Sequence, residues 1–239
     1  MSINEAMIFA AGFGNRMLPL TKLKPKPLLK ILGKSIIEHQ IEKLIDLKFK
    51  NIVINAHYLS DKIISSTMKF KPVVKVIVEK KILETGGGFR NALIKKKFFN
   101  IEEPKLLING DIFWMDTKYP SIKLLIDGWN KNKMDILLSL KKKKEFFGYN
   151  GDGDFDLVNP RQKISKINKK NDKPENVFTG LQIAKPSLVL NNGNQNFSMK
   201  QIFFSLIKKE QIYGLSDQNP FYHIGTPDDF SKIKDKLIK

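Results

Sequence analysis

The 239-residue sequence contains no cysteine, which excludes disulfide bonds and thiolate metal sites. No apolar run approaches the roughly 18 residues that a membrane-spanning helix needs. The first residues, MSINEAMIFAA, lack the basic segment that opens a secretory signal. The 41% apolar and 28% charged residues are typical of a globular chain. We therefore expect a cytoplasmic protein without a membrane partner.

Arginine is scarce, since Arg16, Arg90 and Arg161 are the only three among 42 basic residues, although the formal net charge is +18. Nucleic-acid readers rely on arginine for bidentate contacts with phosphate and guanine. A nucleic-acid-binding role would rest on charge alone, and the scattered lysines favour a solvated basic surface. We expect no nucleic-acid partner, although the positive field would help to collect anionic substrates.

Apolar runs of strand length alternate with amphipathic stretches of helix length in the first half of the chain. The predicted strands of this half are 5–10, 51–55, 73–78 and 105–108. Its predicted helices are 35–47, 60–68 and 84–97, the first with Ser35 and Glu38 as a capping box. The less regular second half has predicted strands at 135–140, 155–158, 164–167 and 177–183, and predicted helices at 197–209 and 227–238.

This order of elements predicts an α/β fold, specifically a Rossmann-like three-layer α/β/α arrangement around a mostly parallel, mixed central sheet. The length suits one domain over residues 1–239. Ligands of such sheets bind at the carboxyl ends of the strands. Two loops of unusual content leave predicted strands at such ends, 11–26 and 109–111.

The strongest chemical signal is the segment AAGFGNRMLPLT at 10–21, followed by PKP at 25–27. Glycines after a strand let backbone N–H groups approach phosphate oxygens, and Arg16 and Lys26 add two cations. A Rossmann fingerprint would need glycine where Met17 stands, and a Walker loop is absent. A surface turn would explain a bare Gly-x-Gly, but the whole string favours a site for a triphosphate and a second phosphate.

A second signal is Asp111, which follows the predicted strand 105–108 within the segment NGD. An aspartate at a strand end can simply close an Asx turn. Because the glycine loop is expected at the same edge of the sheet, we interpret Asp111 as a metal ligand instead.

The glycine segment resembles the signature of sugar-1-phosphate nucleotidyltransferases, Gly-x-Gly-x-Arg-Met/Leu-x-Pro-x-Thr followed by Pro-Lys-Pro. Further matches to that family are LETGGG at 83–88, LINGD at 107–111, FTG at 178–180 and IGTP at 224–227. The resemblance covers nearly the whole chain and implies a fold of the nucleotide-diphospho-sugar transferase type. It also implies a nucleotide-binding half at 1–133, a sugar-binding half at 134–239, and no C-terminal β-helix of the kind that some relatives carry.

The resemblance implies a role for each matching residue. Arg16 would bind the leaving pyrophosphate, Lys26 the attacking or the α-phosphate, and Asp111 a Mg²⁺ ion. The residues expected to bind the nucleotide are Ala11, Gly12, Gly14, Glu84, Thr85, Gly86 and Gly87. Those expected to bind the sugar are Asn109, Gly153, Thr179 and Gly180.

The chain departs from the family pattern at His223, where the family usually carries an aspartate that is a second metal ligand. Mg²⁺ prefers oxygen ligands. His223 is therefore expected either to bind the metal or to contact a phosphate or a metal-bound water.

The resemblance implies an enzyme that transfers a nucleoside monophosphate to a sugar 1-phosphate and releases pyrophosphate. The LETGGG loop most resembles bacterial uridylyltransferases of peptidoglycan recycling, which implies UTP and N-acetylmuramate 1-phosphate. GTP with mannose or heptose 1-phosphate is the alternative within this class. A non-catalytic sensor of nucleotide sugars is the alternative outside it, with His223 marking a lost metal ligand. The expected partners are a nucleoside triphosphate and a sugar 1-phosphate, bound by a monomer or homodimer.

Overall fold

The computed structural model describes residues 3–169 and 171–238. Its strands are β1 (Glu5–Ala10), β2 (Lys30–Ile31), β3 (Lys34–Ser35), β4 (Asn51–Ala56), β5 (Val74–Val78), β6 (Lys105–Asn109), β7 (Phe113–Trp114), β8 (Ile136–Lys142), β9 (Asp156–Leu157), β10 (Ile164–Asn168), β11 (Asn176–Ala184), β12 (Ile212–Ser216) and β13 (Phe221–Tyr222). Its α-helices are α1 (Ile36–Asp46), α2 (Ser60–Thr67), α3 (Glu84–Ile94), α4 (Ser121–Gly128), α5 (Ser187–Leu190), α6 (Met199–Lys208) and α7 (Pro227–Ile238).

Nine of these strands form one sheet in the order β5-β4-β1-β6-β11-β8-β12-β10-β9. The strands from β5 to β6 are parallel, whereas β11 runs antiparallel to both β6 and β8. β12 is parallel to β8, and β10 and β9 follow as antiparallel neighbours. The predicted mostly parallel, mixed sheet is confirmed.

Apolar side chains cover both faces of the sheet. One face packs against α1, α2 and α4, and the other against α3, α5 and α6. A third cluster joins Met17 of the glycine loop to Ile224 and to Phe230 of α7. This cluster fixes the glycine loop against the C-terminal part of the chain. No helix among the described residues has the length and apolar content that crossing a bilayer requires.

Several predicted boundaries differ from the observed ones. The capping box is present, with Ser35 N donating to Glu38 Oε2 at 2.8 Å and Glu38 N to Ser35 Oγ at 3.3 Å. The third predicted helix ends at Ile94 rather than at 97, because Lys96 takes a left-handed φ of 49°. The predicted helix from 197 begins only at Met199, after the cap residue Ser198.

Candidate active site

The glycine loop leaves β1 with its backbone held in place. Asn55 Oδ1 accepts a hydrogen bond from Ala10 N at 3.1 Å. Gly14 has a φ of 69°, and a Cβ there would lie 3.1 Å from Thr21 Cγ2, so the turn favours glycine at this position. A Cβ on Gly12 would meet nothing within 4 Å. Packing therefore does not require glycine at 12, and the space in front of it belongs to the cleft.

The predicted cation Lys26 lies beside the predicted metal ligand Asp111. Their Nζ and Oδ2 atoms are 2.7 Å apart, with side chains 9% and 42% exposed. Burial acts to raise the pKa of Asp111, but the charge of Lys26 and its hydrogen bond outweigh this and hold that pKa below its usual value. Asp111 is therefore a carboxylate at neutral pH, and it remains open to solvent or ligand.

Two buried contacts fix the loop that carries Asp111. Gly110 N donates to Phe9 O at 2.9 Å, and a Cβ on Gly110 would lie only 2.5 Å from that oxygen. Gln40 of α1 is buried, and its Nε2 donates to Asn109 O at 3.0 Å and to Ile112 O at 2.9 Å. Gln40 escaped the sequence analysis. Its signal is a polar residue on the otherwise apolar face of an amphipathic helix.

A cleft of about 460 Å³ opens beside the glycine loop. Its lining residues are Phe9, Ala10, Ala11, Gly12, Gly14, Asn15, Arg16, Met17, Lys26, Pro27, Asn55, Ile82, Glu84, Thr85, Asn109 and Asp111. It contains the predicted nucleotide-binding residues except Gly86 and Gly87. We call it the nucleotide cleft after that prediction.

Gly86 and Gly87 have a packing role in the structure. Both are buried in α3 and do not line the nucleotide cleft. A Cβ on Gly86 would lie 2.4 Å from the Phe197 ring, and one on Gly87 would lie 2.2 Å from Gln195 O. Gly87 N also donates to Phe197 O at 3.0 Å. These glycines let α3 approach the segment 195–197, which places Glu84 and Thr85 at the cleft.

A second cleft, of about 240 Å³, meets the first at the Lys26–Asp111 pair. It is lined by Arg16, Lys26, Asn109, Asp111, Ile112, Phe146, Tyr149, Asp154, Val177, Phe178, Thr179, Gly180, Tyr222, His223 and Ile224. We call it the sugar cleft because the predicted sugar-binding residues Asn109, Thr179 and Gly180 line it. Arg16, Lys26, Asn109 and Asp111 line both clefts. Sequence reasoning missed Tyr149 and Asp154, which lie in an irregular loop.

The predicted sugar-binding residues are placed differently from one another. Thr179 is buried, and its Oγ1 donates to Ser139 O at 3.1 Å, so this hydroxyl shapes the strand. Gly180 lines the cleft with a φ of 93°, and a Cβ there would crowd Asn109 at 3.1 Å. Gly153 does not line either cleft. It lies behind the wall, where its N–H donates to Tyr149 Oη at 3.2 Å.

His223 lines the sugar cleft and lies within electrostatic range of Lys26, Arg16 and Asp111. Its backbone N–H donates to Phe147 O at 2.8 Å, and its ring lies 5.6 Å from the Tyr149 ring. Burial, followed by the charges of Lys26 and Arg16, lowers its pKa below the ordinary 6.5 and outweighs the nearby carboxylates. The imidazole is therefore mainly uncharged at neutral pH.

The described residues contain no cluster of three or more histidine, aspartate or glutamate side chains that could enclose a metal. Mg²⁺ commonly takes one or two protein carboxylates and fills its remaining positions with water and substrate phosphate oxygens. Asp111, with one oxygen bonded to Lys26 and its side chain partly exposed, fits such a shared site. A cage made by the protein alone does not fit.

Known proteins resemble this chain over nearly its whole length. A model of the nucleotidyl transferase family matches residues 5–238. N-acetylmuramate alpha-1-phosphate uridylyltransferase of Caulobacter vibrioides is 27% identical, over 93% of this chain and 92% of its own length. Mannose-1-phosphate guanyltransferase of Yarrowia lipolytica is 26% identical, over 95% of this chain but 62% of its own.

Among solved structures, HddC from Yersinia pseudotuberculosis complexed with GMP-PN has a TM-score of 0.73 at 24% identity, covering 99% of this chain and 100% of that one. This likeness confirms the fold. Members of the matched family generally use a divalent metal. With nearly its whole described length matched, the chain belongs to the nucleotidyl transferase family, a family of sugar-phosphate nucleotidyltransferases.

Proposed function

We propose that this protein transfers uridine monophosphate from UTP to N-acetylmuramate 1-phosphate, giving the UDP-sugar and pyrophosphate. The observation that carries the proposal is the shared rim, because Arg16, Lys26 and Asp111 line both clefts. A triphosphate in the nucleotide cleft and a sugar phosphate in the sugar cleft would meet there. In this assignment, residues 1–133 supply most of the nucleotide side and residues 134–239 most of the sugar side.

The reaction needs little chemistry from the protein beyond charge and position. A sugar-phosphate oxygen attacks the α-phosphorus in line, and the bond to the pyrophosphate oxygen breaks on the opposite side. The nucleophile is already anionic, so no proton has to be removed. Lys26 and Arg16 reduce the repulsion between the two polyanions and stabilise charge in the transition state. The backbone of Gly12 and Gly14 holds the phosphate chain.

A divalent cation held by Asp111, with His223 near it, would when bound neutralise part of the charge on the α-phosphate. Because the pKa of His223 is lowered, its imidazole is available as a neutral ligand or as a hydrogen-bond partner of a coordinated water. Replacing the family's usual aspartate with this neutral group removes one negative charge. We expect weaker metal binding than an aspartate would give.

The choice of substrates rests on similarity. The relative from Caulobacter vibrioides matches this chain over almost the full length of both proteins. Its name describes uridylyl transfer to N-acetylmuramate 1-phosphate. The relative from Yarrowia lipolytica is named for guanyl transfer to mannose 1-phosphate, and HddC was solved with a guanine nucleotide analogue. GTP with mannose or heptose 1-phosphate is therefore the second candidate pair.

A pyrophosphate-release screen tests this proposal. Four nucleoside triphosphates are assayed against N-acetylmuramate, mannose, heptose and glucose 1-phosphates, with and without Mg²⁺. We expect UTP with N-acetylmuramate 1-phosphate to give the highest kcat/KM and chelation to abolish turnover. Asp111→Ala should lower kcat by roughly 10²–10³-fold, whereas Asp172→Ala, an exposed matched control, should not.

Each other outcome changes a named part of the proposal. A preference for GTP with mannose or heptose 1-phosphate would replace the substrate pair and leave the reaction class standing. Nucleotide binding without turnover for any pair would favour a sensor of nucleotide sugars. Full activity in Asp111→Ala would refute the metal assignment.

A further inference from the structure

A third cavity, of about 190 Å³, opens where the two clefts meet. We call it the side pocket. Asn109 lines all three cavities, Thr85 is shared with the nucleotide cleft, and Asp154 and Phe178 are shared with the sugar cleft. At roughly 30 Å³ per water molecule the side pocket has room for about six waters. A substituent on the sugar ring, of a few non-hydrogen atoms, fits in this space.

The side pocket contains an amide that lacks a partner. Gln182 lies in β11 between Leu107 of β6 and Leu138 of β8, on the sheet face that packs against α3, α5 and α6. It is 1% exposed, lines the side pocket, and its Oε1 accepts no hydrogen bond from any described residue. Leucine at this place would avoid the unpaired group. The last side-chain torsion of glutamine is broad, so either amide atom can face the pocket.

The surroundings of the pocket disfavour a charged ligand. The two charged side chains that line it, Asp154 and Lys200, have opposite signs. α6 begins at the pocket, but its first N–H groups are already used. Met199 N donates to Thr85 Oγ1 at 2.9 Å, and Lys200 N donates to Ser198 Oγ at 3.2 Å. The N–H groups of Met199 and Lys200 are therefore not available to an anion at this helix start.

One part of the wall is apolar, formed by Phe155, Phe178, Met199 and Phe203. Phe178 and Phe203 meet edge to face, with ring centroids 5.7 Å apart, and Met199 lines the pocket beside them. A ligand that suits both this wall and the Gln182 amide is uncharged, with a hydrogen-bonding end and an apolar end. An acylamino group has this character, because it offers an N–H, a carbonyl and an alkyl tail.

We propose that the side pocket selects sugar 1-phosphates with an acylamino group on the ring carbon next to the phosphate-bearing carbon, and that Gln182 is its hydrogen-bond partner. This inference rests on the proposed function, since the phosphate at the shared rim is what brings that ring carbon to Asn109. A hydroxyl in the same position leaves the Gln182 amide and the aromatic wall without partners. Gln182 thus determines specificity without touching the reacting phosphates.

The test uses a matched pair of substrates that differ only at this carbon. N-acetylglucosamine 1-phosphate carries the acetamido group and glucose 1-phosphate the hydroxyl. Wild-type protein should bind and use the acetamido sugar about 10- to 100-fold better. Gln182→Leu should remove most of that preference by weakening the acetamido sugar alone. Gln201→Leu, the same change at an exposed site on α6, should keep it.

Turnover is measured by pyrophosphate release and binding by calorimetry, with the melting temperature as the check on folding. Leucine relieves an unpaired buried amide, so Gln182→Leu should melt no lower than wild type. Equal use of both sugars by wild type, or an unchanged preference in Gln182→Leu, overturns the inference. If no sugar phosphate turns over, including those of the pyrophosphate-release screen, the proposed function fails separately. Calorimetry then decides, since equal binding of both sugars by wild type and Gln182→Leu overturns the inference.

Discussion

The two clefts that meet at Lys26 and Asp111 are built in different ways. The nucleotide cleft follows the carboxyl ends of parallel strands, and its lining includes the glycine loop from Ala11 to Gly14 together with the cations Arg16 and Lys26. The sugar cleft follows the antiparallel part of the sheet, and aromatic rings such as Tyr149 and Phe178 form much of its wall. In the proposed function, the phosphates that all candidate substrates share would meet the glycine loop and fixed charge. The sugar, which differs among the candidates, would meet the aromatic wall.

This contrast indicates which positions of the two clefts tolerate substitution. Backbone turns that depend on Gly14 and Gly110 tolerate little substitution, because a Cβ at either position would crowd a neighbouring group. A ring or an amide on an irregular loop can be exchanged with less disturbance of the strands. Selection among sugars should therefore lie in the second half of the chain, and the comparison can be tested by substitutions on each side.

The largest effect is expected for Lys26→Met. Lys26 lies on the shared rim, so its loss should lower kcat/KM by roughly 10²–10³-fold for every nucleotide and sugar that the enzyme accepts. The side chain of Asp111 is 42% exposed, so water can solvate the carboxylate left behind, and the melting temperature should change by only a few degrees. Initial-rate kinetics with at least two sugar phosphates checks this.

Lys24→Met is the matched control for that prediction, since Lys24 is an exposed lysine two residues earlier in the same loop. It should keep nearly full activity. A loss in Lys26→Met confined to one sugar would contradict the view that this rim serves phosphate chemistry alone.

A smaller, reciprocal effect is expected for two tyrosines. Tyr149 Oη accepts from Gly153 N at 3.2 Å in the sugar cleft wall, whereas Tyr58 Oη donates to Thr21 O and Lys22 O of the glycine loop at 3.0 and 2.9 Å. Tyr149→Phe should raise KM for the sugar phosphate by about 2- to 10-fold and leave that for the nucleotide unchanged. Tyr58→Phe should do the reverse.

Varying each substrate in turn at saturating concentrations of the other measures both constants. Equal changes of the two KM values in either variant would show that the clefts are not independent. A drop in kcat with both KM values unchanged would indicate instead that the tyrosine hydroxyl stabilises the transition state.

The same contrast explains which parts of the fold the sequence predicted. Strands such as β1 and β4 are short, buried and mainly apolar, and their alternation with helices predicted the parallel part of the sheet. β12 was not predicted because Gly214 interrupts its apolar pattern. The structure explains this glycine, since a Cβ at 214 would lie 2.4 Å from Leu140 Cδ1. α4 was missed because it is eight residues long, begins after Pro120 and ends on Gly128.

The candidate site also has residues that the sequence predicted and residues that it missed. Arg16, Lys26 and Asp111 were found because they lie in short, continuous motifs at strand ends, and the structure brings them to one rim. Gln40 donates to the backbone of the loop that carries Asp111, and Gln182 lines the side pocket together with residues of α6, an element distant in sequence. Their signal is a polar residue within an apolar pattern, which cannot be read until the partner element is known.

The smallest expected effect concerns the pH dependence of stability through His223, which lines the sugar cleft near the charges of the shared rim. Its folded-state pKa lies below the ordinary 6.5, so the unfolded chain takes up this proton at a higher pH than the folded chain does. The contribution of His223 to the free energy of unfolding is therefore complete above about pH 6.5. It declines as the pH falls through the folded-state pKa.

His223→Gln should lack this decline, so its melting temperature should fall less than that of wild type between pH 7.5 and pH 5. Pyrophosphate should reduce the wild-type decline, because an anion at Arg16 and Lys26 offsets the two charges that depress the pKa of His223. Melting curves across this range, with and without pyrophosphate, measure both effects. An identical decline in wild type and His223→Gln would mean that the charges of the shared rim do not lower the pKa of His223.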